Sequence, residues 1–159
     1  MQNIKFKICT LIVCAFALLC PVLSFAAPAS FSATADSNSQ SLVVITNPPS
    51  FSSTTQKGVV FCGYGSEGTT VTIYLFNATT QRYEKMNVYG TPVSTTINAS
   101  GVFWKKVDLP NGLNKVLVCA EKGDSYQLVR REVSVLSSNL ADRIKGYTVN
   151  MTSALQMGR

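Results

Sequence analysis

The chain contains no histidine. That absence removes the usual general base near neutral pH, and with it the Ser-His-Asp and Cys-His arrangements and the commonest zinc ligand. Charge is also scarce: charged residues make up 14% of the 159 positions, and the basic ones are scattered. The Lys105-Lys106 and Arg130-Arg131 pairs fall on strand-patterned stretches, where neighbouring side chains point to opposite faces, so they form no nucleic-acid footprint. Tryptophan occurs once, at Trp104. No helix-period run interrupts residues 41–136, and no internal repeat is found. The glycine-rich loop GYGSEGT at 63–69 lacks the lysine and the following helix of a phosphate-binding loop, and reads as a turn between strands. With no acid, base and nucleophile set, no cofactor motif and no metal motif, the inventory argues against an enzyme.

What is there begins with a leader. Lys5 and Lys7 precede the apolar run Ile8 to Leu19, then Pro21 and the small-residue stretch Ser24-Phe25-Ala26-Ala27. This is the order of a secretory signal peptide over 1–26, with cleavage after Ala26 and Ala29 as the second choice. The apolar run is shorter than the roughly 20 residues of a bilayer span, so no membrane-crossing segment is expected in the mature chain. Cys20 follows Leu18-Leu19, and a bulky leucine there departs from a lipoprotein site. The formal net charge of +6 counts the two leader lysines. Of the five cysteines, Cys9, Cys14 and Cys20 fall in the leader, leaving Cys62 and Cys119. An even pair in an exported chain predicts a disulfide. Closing a loop of about 57 residues, it is worth roughly 4 kcal/mol in the chain-entropy model.

Residues 27–40 are small and polar and predict a flexible linker. Strand patterns then follow one another: SLVVIT at 41–46, the run 58–62, TVTIYLF at 70–76, and weaker runs at 81–88 and 93–97. Two more flank Pro110-Asn111-Gly112, and the last covers 126–136. Seven or eight such runs, with turn signals at intervals of roughly 8 to 12 residues, predict one all-β sandwich of antiparallel strands over 41–136. Phe103, Val107, Leu109, Val71, Ile73, Leu75, Leu117, Val133 and Val135 are its expected core. Beyond it, residues 137–159 carry Leu140, Ile144, Tyr147, Met151 and Leu155 at spacings of three and four. That spacing matches an amphipathic helix, weakened by Gly146 and Thr148-Val149, or a disordered tail.

The pattern Gly101-x-Phe103-x-x-x-Val107-x-Leu109-x-x-Gly112-x-Asn114 resembles the signature of bacterial immunoglobulin-like domains of surface and adhesin proteins. Gly68-Thr69-Thr70-Val71-Thr72-Ile73-Tyr74 is similar to the glycine turn and following strand of those domains. The resemblance implies an immunoglobulin-like sandwich and a secreted or cell-envelope, non-enzymatic module for surface attachment, assembly or ligand binding. Two features depart from it. Many such domains lack a disulfide, whereas Cys62 and Cys119 fall on the second and sixth strands, which are bridged in antibody-type domains. The stretch from Gln81 to Thr96 is also longer than a minimal domain needs.

Two candidate sites remain. Trp104 has the parity opposite to Phe103 and is expected to face outward, where with Tyr74, Tyr83 and Tyr89 it would form an aromatic platform for a sugar ring or a protein. Such a soluble carbohydrate-binding module is the alternative function, and the expected partner is a protein or glycan at the cell surface. Glu67, Glu121 and Asp124 lie in turns at one end of the expected sandwich and supply three oxygen donors toward a calcium ion, which takes six to eight.

Overall fold

The computed structural model describes residues 27–39 and 41–137. The expected leader at 1–26 and the expected helix or disordered tail from 138 onward lie outside the described residues. Among those described every regular element is a strand: β1 Ser30–Ser32, β2 Val43–Asn47, β3 Ser52–Thr54, β4 Gly58–Gly65, β5 Thr70–Asn77, β6 Arg82–Lys85, β7 Asn87–Val88, β8 Thr91–Pro92, β9 Ser94–Thr96, β10 Val102–Asp108, β11 Gly112–Lys122 and β12 Ser125–Val135. The count exceeds the expected seven or eight because five of the elements have only two or three residues. No helix of the described residues is long and apolar enough to cross a membrane.

The strands form a large sheet in the order β1-β6-β5-β11-β12-β3, with β9 added to β5, a three-stranded sheet β10-β4-β2, and a small β7-β8 hairpin. Pairing is antiparallel except between β12 and β3, which run parallel with Val133 opposite Ser52 and Val135 opposite Thr54. The expectation of a wholly antiparallel arrangement is corrected at that edge. The physical reason is the Asn47-Pro48-Pro49 break. A strand cannot continue along one ladder through two prolines, and here the chain leaves β2 beside β4 and resumes as β3 beside β12.

Alternation places the core. In β4, Val59 and Phe61 turn inward while Val60, Cys62 and Tyr64 turn outward. In β10, Phe103 and Val107 turn inward and Trp104 outward. With Val71, Ile73, Val116, Val118, Val133 and Val135 from the large sheet they make one cluster between the two sheets. Seven of the nine expected core residues belong to it, and Leu75 is half-buried against it. Leu117 does not belong. It is buried on the other face of β11, in a second cluster with Tyr74, Tyr83, Cys119 and Leu128.

Residues 27–39 cover that second cluster, so the expected flexible linker is corrected to an ordered strap. β1 pairs with β6, Phe31 meets Tyr74 edge-on at 5.0 Å, and Phe31 and Ala35 pack on the cluster. The polar residues that suggested disorder spend their hydrogen bonds on the sheet. The Leu128 N–H donates to Ser37 Oγ at 2.8 Å, the Asn38 and Ser39 N–H groups donate to Tyr126 O at 3.1 and 3.0 Å, and Arg82 Nε donates to Ser30 Oγ at 2.9 Å.

The two sheets are joined at the β2 side by polar groups on the inner face of β12. The Val43 N–H donates to Gln127 Oε1 at 2.8 Å, and the Arg131 guanidinium donates to Pro48 O at 3.0 Å and Ile45 O at 3.2 Å. Glycine is required at Gly63, where a Cβ would overlap the Val44 carbonyl as β2 crosses close to β4.

Replacing fully buried Phe61 by alanine should cost about 3 to 5 kcal/mol in urea denaturation, and Trp104→Ala less than about 1 kcal/mol. The reverse order would mean that the parity of β4 and β10 is inverted.

Candidate functional site

The two outer faces of the sandwich differ. That of the large sheet lies under the strap, and the polar groups at its margin line a cleft of about 780 Å³ formed by the strap, β6 and the β11–β12 turn. The strap is held beside it: buried Tyr74 Oη donates to Pro28 O at 2.7 Å, Lys85 Nζ donates to Ala27 O, and the Lys85 N–H donates to Ala29 O at 3.0 Å. Burial, followed by the neighbouring Cys119 and Glu121, pushes the Tyr74 phenol far above its ordinary range. Burial and then the Glu121 charge do the same to the Cys119 thiol. The Glu121 carboxyl is also raised by burial, with Cys119 and Lys85 opposing. A thiol held protonated is a poor nucleophile. The strap residues Ala27 and Pro28 form one wall of the cleft, and Glu121 stands in the wall across from Lys85.

The expected disulfide is corrected here. Cys62 and Cys119 are both free. Cys119 belongs to the covered outer face of the large sheet, and Cys62 projects from the outer face of the three-stranded sheet. The core lies between them. Each cysteine stands one position away from the residue that turns inward, Phe61 on β4 and Val118 on β11. That one-residue offset places the two thiols on opposite sides of the molecule.

The expected calcium donors do not assemble either. Glu121 and Asp124 share the cleft, but Glu67 is exposed outside it, and no group of three metal-binding side chains occurs among the described residues. The Asp124 carbonyl is occupied by Asn38 Nδ2 at 2.8 Å.

The four-aromatic platform is likewise corrected. Tyr74 and Tyr83 are buried under the strap, and Tyr89 is fully exposed in the β7–β8 turn. Only Trp104, 70% exposed, presents itself as expected. It stands on the outer face of the three-stranded sheet, directly opposite Cys62. The next rung aligns Val102, Tyr64 and Val44 across all three strands, and the rung on the other side pairs Lys106 with Val60. Val44, Val60, Tyr64, Val102 and Trp104 are five of the nine large hydrophobic residues exposed among those described. They make one contiguous apolar face, of a kind that marks interaction sites. Beside it, at the edge of β10, a shallow groove of about 460 Å³ is lined by Trp104, Lys105, Lys106, Thr95, Thr96 and Asn98.

The sequence reading found Trp104 but missed its companions. The one signal, for Val60, was the unbroken apolar run Val59-Val60-Phe61-Cys62, which is apolar on both parities and not on one alone. No protein-family model matches the chain, and no curated protein matches it in sequence.

Two measurements follow from the margin of the cleft and the cysteines. A chain beginning at Ala27, unfolded without reductant, should titrate both Cys62 and Cys119 and show no two-proton mass deficit, and in the native state Cys62 should be alkylated well before Cys119. A quantitative bridge would show that the faces of β4 and β11 are misassigned. The second is a pH series. An acid raised in the folded state ionises first in the unfolded chain, so stability present below the ordinary carboxylate pKa is lost as pH climbs through that value toward the raised one. Glu121→Gln removes the loss. Its urea midpoint should gain on the wild type between pH about 4 and neutrality, and parallel curves would place Glu121 in open water.

Proposed function

We propose that the chain is an exported, non-enzymatic module of immunoglobulin-like architecture that binds a partner at the cell surface through the outer face of β10-β4-β2. The exposed row of Val44, Tyr64 and Val102 beside Trp104 carries the reading. An apolar sheet face left open is a standing cost in solubility unless something docks on it, and tryptophan and tyrosine are the residues most enriched among binding hot spots. Two sheets packed face to face over one core of alternating inward residues support the immunoglobulin-like reading of a fold that is otherwise simply all-β. Absence of histidine, and burial that raises the Cys119 thiol, support the non-enzymatic part.

A glycan partner is the second reading, favoured by the groove at Trp104, where hydroxyl, amide and ammonium groups of Thr95, Thr96, Asn98 and Lys105 flank an exposed indole. The test is binding of the exported protein to intact cells of its source. Trp104→Ala and Tyr64→Ala should each weaken it by tenfold or more, about 1.4 kcal/mol, while Tyr89→Ala should not. Loss of binding after protease treatment of the cells identifies a protein partner, and loss after periodate treatment a glycan. Equal binding by wild type and both face variants would end the proposal.

A further inference from the structure

The three-stranded sheet β10-β4-β2 ends in two edge strands, and an edge strand presents a row of backbone N–H and C=O groups with no ladder partner. The β2 edge is closed from across the sandwich. The Val43 N–H and the Ile45 carbonyl, which face away from β4, are taken by Gln127 and Arg131 of β12. The β10 edge has no such cover among the described residues. The Gly65 N–H donates to Gly101 O and the Leu109 N–H to Lys57 O, each at 2.9 Å, so Phe103, Lys105 and Val107 between them exchange bonds with β4. The N–H and C=O groups of Trp104 and Lys106 therefore point the other way, and no described strand pairs with them.

The groove of about 460 Å³ lies along this edge from Val102 to Lys106, with Thr95 and Thr96 of β9 and Asn98 as its far wall. Trp104 and Lys106 repeat donor and acceptor at the two-residue period of a strand, roughly 7 Å, which another extended backbone matches and a glycan does not. Side chains set what that backbone carries. Lys105 lies in the groove, while Trp104 and Lys106 stand on the open outer face. Asp108, the next outward residue, lies outside the groove. A second copy is a poor occupant. Joining two β10 edges would gather four lysines at the joint, and lysine on an edge is a device against such self-pairing. A segment with carboxylates at those rungs is the better match.

We propose that the partner is taken as an added strand: an extended acidic segment of another protein pairs with the open edge of β10, its carboxylates on Lys105 and Lys106 and an apolar side chain beside Trp104. The inference rests on the docking reading and names the class of partner. Over three consecutive rungs the segment carries an apolar residue opposite Trp104, an acidic one opposite Lys105 in the groove, and an acidic one opposite Lys106 on the outer face. Backbone bonds supply affinity without regard to sequence, and the lysines and the tryptophan select.

The test titrates a chain beginning at Ala27 with short blocked peptides in which threonines flank either Val-Glu-Glu or Val-Lys-Lys. It reads amide hydrogen exchange and the emission of the sole tryptophan. The glutamate peptide should shift Trp104 emission and slow exchange at the Trp104 and Lys106 amides by about tenfold or more, while the Lys105 and Val107 amides, already bonded to β4, stay unchanged. The lysine peptide should do neither. Lys106→Pro removes the outward donor without breaking a bond to β4, and its affinity should fall about tenfold below that of Lys106→Thr, which loses the charge alone. Binding that leaves the Trp104 and Lys106 amides unprotected would overturn the added strand in favour of docking on the face. Equal binding of the two peptides would overturn the acidic partner. Protection that appears without peptide and grows with protein concentration would overturn the inference in favour of a second copy. No response to the glutamate peptide would also overturn it, and the docking reading would still stand if Trp104→Ala abolishes cell binding. Protection by the glutamate peptide beside normal cell binding of Trp104→Ala would fail the docking reading alone.

Discussion

β11 is buried on both of its faces, and most of the molecule follows from that. Val116, Val118 and Ala120 belong to the core between the sheets, while Leu117 and Cys119 belong to the cluster on the far side. A strand apolar on both parities has to be covered twice. The three-stranded sheet covers one side, and the strap of residues 27–39, with Phe31 and Ala35 at its centre, covers the other. The same requirement explains why β5 carries Tyr74 opposite to Ile73, and why short β1 exists at all. It brings the strap against β6 at the edge of the sheet.

The fold class was legible because period-two alternation in 70–76 and 102–109 is clean, and the turns between strands are rich in glycine and asparagine. Phe103, Val107 and Leu109 read correctly for that reason. The failures cluster where alternation gives way to continuous apolar runs. Val116-Leu117-Val118-Cys119-Ala120 has no polar residue to mark a face, so Leu117 and Cys119 were assigned to the core and Val116 and Val118 passed over. The disulfide expectation fell with that assignment. Parity of a single residue decides whether two cysteines share a core or stand on opposite surfaces.

The strap was illegible for a different reason. Composition reports whether a segment can bury enough apolar surface by itself, and 27–40 cannot. It is ordered by what it covers, through backbone hydrogen bonds and one phenylalanine, and neither leaves a mark in local composition. The open face of β10-β4-β2 is the converse case. Trp104 was visible as an isolated outward aromatic, but its neighbours Tyr64 and Val44 come from strands distant in sequence, and only register brings them together. A site built across three strands is a property of pairing and has no motif.

The parallel edge between β3 and β12 also bears on how the domain carries load. A force drawing the chain away at Phe51 on one side and at Leu136 on the other pulls these neighbouring strands in opposite directions along their length. Their rungs, from Ser52–Val133 to Thr54–Val135, are then strained together in shear. An antiparallel hairpin pulled at its two free ends would open one rung at a time. With the Arg131 guanidinium tying the same corner to the carbonyls of Ile45 and Pro48, the point where tension enters is the point where the two sheets are fastened to each other. Strength under pull is a separate quantity from stability at rest, and this corner is where it would be set.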